Sequence, residues 1–213
     1  FGENKSVHPG FAVAINPEKI IRARRDREVY SMLESATLRY PDGLGVVLTM
    51  KKKGVATQRI PGIDLWQALM ERAAFAHLPV FLLGARISVI EKVAARLGTE
   101  MGTPIVGYHS GYFGDDARMI ETIALARPAI VAVGMGSPRQ EKFILQCRNR
   151  WPQAFYMGVG GSFDVYCGAV PRAPVLFRKA GAEWLYRLLR QPRRFSRNLS
   201  LLQYIHLHFT ERL

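Results

Sequence analysis

Six short runs of apolar, β-branched and aromatic residues recur along this chain, with segments of helical length and amphipathic spacing between them. The runs are Phe11–Ile15, Ala36–Tyr40, Val80–Leu83, Ile105–Tyr108, Ala129–Val133 and Phe155–Val159. Val80–Leu83 and Ala129–Val133 contain no polar residue, so a strand there must be covered on both faces, which is the condition of a parallel sheet between helices. The helical stretches are Pro17–Ser35 (continuous or broken), Ile63–His77, Ser88–Leu97, Asp115–Ala126 and Pro138–Asn149. This alternation predicts an α/β fold, a Rossmann-like parallel sheet flanked by helices. At 213 residues the chain is long enough for one substantial core, placed here over residues 1–170.

In sheets of this kind ligands gather beyond the carboxyl ends of the strands, so the residues that follow each run are the ones to inspect. The first run ends in Asn16-Pro17-Glu18, where Asn16 can cap a helix that Pro17 starts. The second ends in Pro41-Asp42-Gly43-Leu44-Gly45 and the third at Gly84. Glycine-rich turns follow the fifth and sixth, at Gly134/Gly136 and Gly158/Gly160/Gly161. Such turns let backbone N–H groups approach a phosphate at a helix start, although glycine is equally at home in any tight strand-to-helix turn. Two of them at neighbouring strand ends favour a nucleotide diphosphate site built from Gly134, Gly136, Gly160, Gly161 and Asp164. Neither spells G-x-G-x-x-G, because Arg139 stands where the third glycine of the first would be, and this disfavours a dinucleotide oxidoreductase.

Asp42 has two readings. Gly43 and Gly45 leave room for a ligand to reach a carboxylate that could take a proton from an attacking hydroxyl, whereas an ordinary turn Asp bonds its own backbone. Asp64, after Pro61-Gly62, reads first as a helix cap and second as a substrate contact. Arg59, Arg139 and Gln140 stand near strand or helix starts, where a guanidinium or amide can hold phosphate or sugar hydroxyls. Lys51-Lys52-Lys53 before Gly54 reads as an exposed helix C-terminus. The five His show no metal-ligand spacing and no D-x-D triplet occurs, so no essential metal or cofactor is predicted. Cys147 and Cys167 are too few for a disulfide framework; they read as small core residues of a protein in a reducing, cytoplasmic setting.

Charge is distributed unevenly. The formal net charge is +13, which favours polyanionic partners such as nucleic acid, anionic lipid or phosphorylated substrates. Between residues 171 and 213 nine Arg or Lys face only Glu183 and Glu211, while Phe195, Leu199, Leu202, Ile205 and Phe209 recur at helical spacing. A basic helical appendage with an apolar stripe suits the surface of an anionic membrane. The competing reading buries that stripe against the core or in a homo-oligomer interface. No run approaches the ~20 apolar residues of a spanning helix. A nucleic-acid-binding protein is the alternative from a different class, but no nucleic-acid motif is present and a polar duplex could not cover the Leu/Phe stripe.

Four segments together resemble the WecG/TagA/CpsF glycosyltransferases, glycosyltransferase family 26. They are Tyr40-Pro41-Asp42-Gly43, Arg59-Ile60-Pro61-Gly62-Ile63-Asp64-Leu65, Gly134-Met135-Gly136-Ser137-Pro138-Arg139-Gln140-Glu141 and Met157-Gly158-Val159-Gly160-Gly161-Ser162-Phe163-Asp164-Val165. The tail from Glu183-Trp184-Leu185-Tyr186-Arg187 to Gln191-Pro192 is similar to the branch that makes enterobacterial common antigen. The resemblance implies a metal-independent, inverting transfer of N-acetylmannosaminuronic acid from a UDP-sugar donor to a polyprenyl-pyrophosphate-linked sugar acceptor, N-acetylglucosamine-pyrophosphate-undecaprenol. UDP-N-acetylmannosamine and UDP-glucose are the alternative donors. It places the enzyme at the cytoplasmic, inner-membrane surface. It further implies Asp42 as general base, substrate contacts at Asn16, Arg59 and Gln140, and tail arginines Arg187, Arg193 and Arg194 over the active site; Asp64 and Gly84 are further substrate-binding candidates at the strand ends and helix starts. One departure is Ala14, where teichoic-acid members carry a Thr near the acceptor site.

Overall fold

The computed structural model describes residues 6–179, 183, 186 and 196–210. Its strands are β1 (Gly10–Ile15), β2 (Leu38–Pro41), β3 (Val80–Gly84), β4 (Ile105–His109), β5 (Ile130–Gly134) and β6 (Phe155–Gly158). They form one parallel sheet in the order β2-β1-β6-β5-β3-β4, the α/β arrangement expected from the sequence. β3 and β5, both built from runs without polar residues, lie side by side in it, paired in register from Val80↔Ile130 to Gly84↔Gly134. Val80, Leu82, Leu83, Ile130, Val131, Ala132 and Val133 are all fully inaccessible to solvent.

The helices are α1 (Pro17–Ala23), α2 (Arg27–Glu34), α3 (Leu44–Lys52), α4 (Gly62–Phe75), α5 (Ile87–Met101), α6 (Asp116–Ala126), α7 (Arg139–Arg150), α8 (Ser162–Tyr166), α9 (Val175–Lys179) and α10 (Ser196–Phe209). The stretch Pro17–Ser35 is broken, because Asp26 turns its carboxylate onto the N–H groups of Glu28 and Val29 and so starts α2 afresh. Asn16 caps α1 as expected, its Oδ1 accepting from Lys19 N at 2.9 Å, with Pro17 in the first turn. α3 supplies the helix that Lys51–Lys53 end, and all three lysines are exposed. The cap reading of Asp64 is corrected. Asp64 sits exposed inside the first turn of α4, where its charge still suits the positive helix end.

The chain divides into two compact units. One comprises Phe1–Val13, Ala36–Leu38 and Gly62–Pro171 and holds most of the sheet with α4 to α8. In it α5 buries Val89, Ile90, Val93, Ala94 and Leu97, and stops where Gly102 takes the left-handed conformation at φ 68°. The other comprises Ala14–Ser35, Arg39–Pro61 and Arg172–Leu213 and has its own small core of Ile21, Val46 and Tyr204, lined by Ile15, Ile20, Met50 and Leu207. α10 packs there against α1 and α3. The Tyr204 hydroxyl lies 2.7 Å from Thr49 Oγ1, which is also 2.8 Å from His208 Nδ1.

The two cysteines differ. Cys147 lies buried on α7, and burial, followed by the nearby Asp116 charge, pushes its thiol up to about 12. Cys167 is partly exposed, with Sγ against Asp164 O, so the expectation of a core position holds for Cys147 alone. Since the thiolate is the nucleophile, iodoacetamide at pH 8 will label Cys167 in the native protein and both cysteines in urea. Counting adducts by mass spectrometry checks this; native labelling of Cys147 at the rate of Cys167 would contradict it.

Candidate active site

In the unit that holds most of the sheet, the turns after β3, β4 and β5 are laced together. Ala85 N donates to Gly134 O at 3.1 Å and Gly111 N to Ala85 O at 2.9 Å. Gly84 has φ 142°, a region open essentially to glycine, and a Cβ there would overlap the Gly134 carbonyl. Gly136 follows, and its carbonyl accepts Gln140 N at 2.9 Å as α7 begins.

Gln140 then ties the β5 turn to the β6 turn. Its side chain is almost fully buried, Oε1 accepts the Gly160 N–H at 3.0 Å, and Nε2 donates to Glu141 Oε1 at 3.0 Å. A Cβ on Gly158 would stand 2.6 Å from Nε2, so the glycine makes room for the amide. The Gly160 N–H is thereby engaged within the protein. Below it, Phe163 is buried against Gly134 and edge-on to Trp66 at 5.4 Å, and Trp66 also meets Tyr166 at 5.2 Å. Asp164 is half-buried in the short α8, its carbonyl accepting Val170 N at 2.9 Å. Gly161 is different. With φ −87° and nothing within 4 Å of a built Cβ, neither backbone nor packing demands glycine there.

The other unit assembles a charged cluster around Asp42. Asp42 N donates to Ile15 O at 2.9 Å, which sets the residue beside the end of β1, next to Asn16. Gly43, extended at φ −168°, precedes α3, and a Cβ on it would come 3.0 Å from Pro17 Cδ. Ile60 N donates to Pro41 O at 2.9 Å and so stitches Arg59 to the end of β2. The Arg59 guanidinium lies 3.6 Å from Asp42 Oδ1 and also donates from Nη2 to Glu183 Oε2. Asp42 keeps about a quarter of its side chain accessible (27%), Arg59 18% and Glu183 7%. α10 supports this corner, because Tyr204 packs its ring 3.2 Å from where a Cβ on Gly45 would be and donates its hydroxyl to Gly45 O at 3.3 Å. Burial raises the Tyr204 hydroxyl above its ordinary value, so it stays a neutral donor.

The structure thus gathers Asn16, Asp42 and Arg59 in one unit, and Gly84, Gly134, Gly136, Gln140, Gly160 and Gly161 in the other. Asp64 lies exposed in the first turn of α4. Arg187, Arg193 and Arg194 lie outside the described residues. Glu183 is a residue that sequence reasoning passed over. Its signal is its isolation, one of two acids in a basic tail of 42 residues spanning 172–213.

Residues 3–213 match the Glycosyl transferase WecG/TagA/CpsF family. The chain belongs to this family. It is a glycosyltransferase of polysaccharide synthesis, and it handles a sugar donor and an acceptor. Among the described residues of this glycosyltransferase no helix is long and apolar enough to cross a membrane.

Two glycines of the transferase separate fold from ligand. Gly84→Ala will destabilise it by roughly 2–5 kcal/mol, from a disallowed backbone conformation and an overlap with a neighbouring strand. Gly161→Ala will change stability by less than about 0.5 kcal/mol. Urea unfolding of both variants checks the contrast.

Proposed function

We propose that this glycosyltransferase moves N-acetylmannosaminuronic acid from its UDP donor to N-acetylglucosamine-pyrophosphate-undecaprenol, with inversion, at the inner face of the cytoplasmic membrane. The observation that carries the reading is Asp42. It is a partly exposed carboxylate fixed at a strand end, with an arginine 3.6 Å away and glycine on its following side. In this reading Asp42 takes the proton of the acceptor hydroxyl, and the freed oxygen forms a bond to the anomeric carbon. The bond from that carbon to the UDP oxygen breaks on the opposite face, and its electron pair leaves with UDP.

The departing diphosphate needs positive charge. The reading assigns that work to N–H groups of the turns at Gly134–Gly136 and Gly160–Gly161 and to the arginines Arg187, Arg193 and Arg194. Gly161, whose missing side chain the fold does not use, is the turn residue best suited to a close phosphate. Because the Gly160 N–H is held by Gln140, Gln140 acts in this scheme by shaping the turn. Asn16, Arg59 and Asp64 remain candidates for contacts to the sugars, and Gly84 and Asp164 for shaping their surroundings. In this reading residues 1–170 form the α/β catalytic core, and 171–213 form a membrane-associating helical appendage that also supplies arginines for the diphosphate.

Support for the membrane contact comes from α10. Tyr204 and Leu207 turn inward, whereas Leu202, Ile205 and Phe209 are 63%, 42% and 76% exposed on another face. Replacing these three with Ser leaves the small core of Ile21, Val46 and Tyr204 intact, and it will cut binding to anionic vesicles by at least tenfold in a flotation assay. Undiminished flotation would refute the membrane reading. Tight, steeply salt-dependent binding to nucleic acid instead would support the alternative class.

Asp42→Asn will lower kcat by about 10²–10⁴-fold with UDP binding retained. The assay is a donor screen against a short-chain N-acetylglucosamine-pyrophosphate-lipid, in which preference for UDP-N-acetylmannosamine or UDP-glucose would reassign the sugar. A wild-type rate for Asp42→Asn would remove Asp42 as the base.

A further inference from the structure

We infer that Glu183 is a positioning residue for the base: by holding the Arg59 guanidinium, it prevents Arg59 from closing onto Asp42. The inference rests on the reading of Asp42 as general base.

One guanidinium here serves two carboxylates. Arg59 Nη2 donates to Glu183 Oε2 in a close hydrogen-bonded ion pair, while the same nitrogen stays 3.6 Å from Asp42 Oδ1, beyond hydrogen-bonding distance. Glu183 is only 6% exposed, and its Oε1 has no hydrogen-bond partner among the described residues. A buried carboxylate with one oxygen unmatched draws strongly on the cation it does have. Arg59 is 18% exposed and held by the Ile60–Pro41 backbone bond, so its reach is limited to this corner.

The chemical consequence follows from what a general base needs. A carboxylate gripped bidentately by arginine has its lone pairs occupied and its charged form favoured, and both make it a poorer proton acceptor. At 3.6 Å, with that nitrogen committed to Glu183, Arg59 faces Asp42 without hydrogen-bonding to it through Nη2. Removing the charge of Glu183 releases the guanidinium. Asp42 Oδ1 already stands 3.6 Å from that same nitrogen.

The test uses the full chain and two readouts. Glu183→Gln keeps the shape of the side chain and removes its charge. Relative to wild type it will lower kcat about tenfold with KM for donor changed less than twofold, and it will move the acid limb of the pH–kcat profile to lower pH by about one unit, because a closer Arg59 favours ionised Asp42. A residue that merely supports the fold lowers stability or kcat and leaves the limb where it was. Glu183→Asp retains the charge on a shorter arm and will give a smaller shift in the same direction, which keeps the test open should Glu183→Gln not fold. An unmoved acid limb in whichever of these variants folds overturns the inference. If Asp42→Asn is inactive while that limb is unmoved, the inference alone fails. If Asp42→Asn is fully active, the base reading fails and this inference with it.

Discussion

The turns after β3, β4 and β5 depend on how closely β3 and β5 run together. Two strands with no polar residue, paired in register along their whole length, leave no room between their last residues, Gly84 and Gly134, for a side chain. That contact sets where the turns after β3, β4 and β5 can go, and backbone bonds from Ala85 and Gly111 then fasten them. The β6 turn is joined to them by Val159 N, which donates to Val133 O, and by the amide of Gln140, which fills the space left by Gly158 and holds Gly160. The glycines after β5 and β6 therefore divide into those that the protein's own packing consumes and those, such as Gly161, that it does not.

β1, β3 and β5 were legible as unbroken apolar runs, the mark of a strand covered on both faces, whereas the edge strands β2 and β4 keep exposed residues such as Arg39 and Tyr108 and were legible from their β-branched and aromatic content. Asn16 was legible as a cap for a similarly local reason, since its partner is three residues away. α3 was seen only at its lysine end. It begins at Leu44 behind an extended Gly43, without a side-chain cap, and only Val46 and Val47 are buried along it. The tail stripe was read as one apolar row, but the helix turns Tyr204 and Leu207 inward and leaves Leu202, Ile205 and Phe209 outside. Periodicity showed that the helix was two-sided, and tertiary packing decided which side was covered.

The charged corner was half legible. Asp42 and Arg59 stand close enough in sequence, and next to enough glycine and proline, to be suspected. Glu183 lies 124 residues from the arginine it binds, and no local pattern can announce such a pairing. Its value to the site comes from a geometric inequality, a close carboxylate on one side of Arg59 and a more distant one on the other. Residue identity alone carries no such information.

The seating of α10 has a consequence for how the protein is made. Thr49 and Tyr204 are 155 residues apart, and Gly45 and Tyr204 are 159 apart. A chain synthesised from its N-terminus presents all six strands before Tyr204 has left the ribosome. The helix that follows Asp42 thus waits for some 155 further residues before its partner arrives. An incomplete chain can own a finished sheet and still lack the support beneath its proposed base.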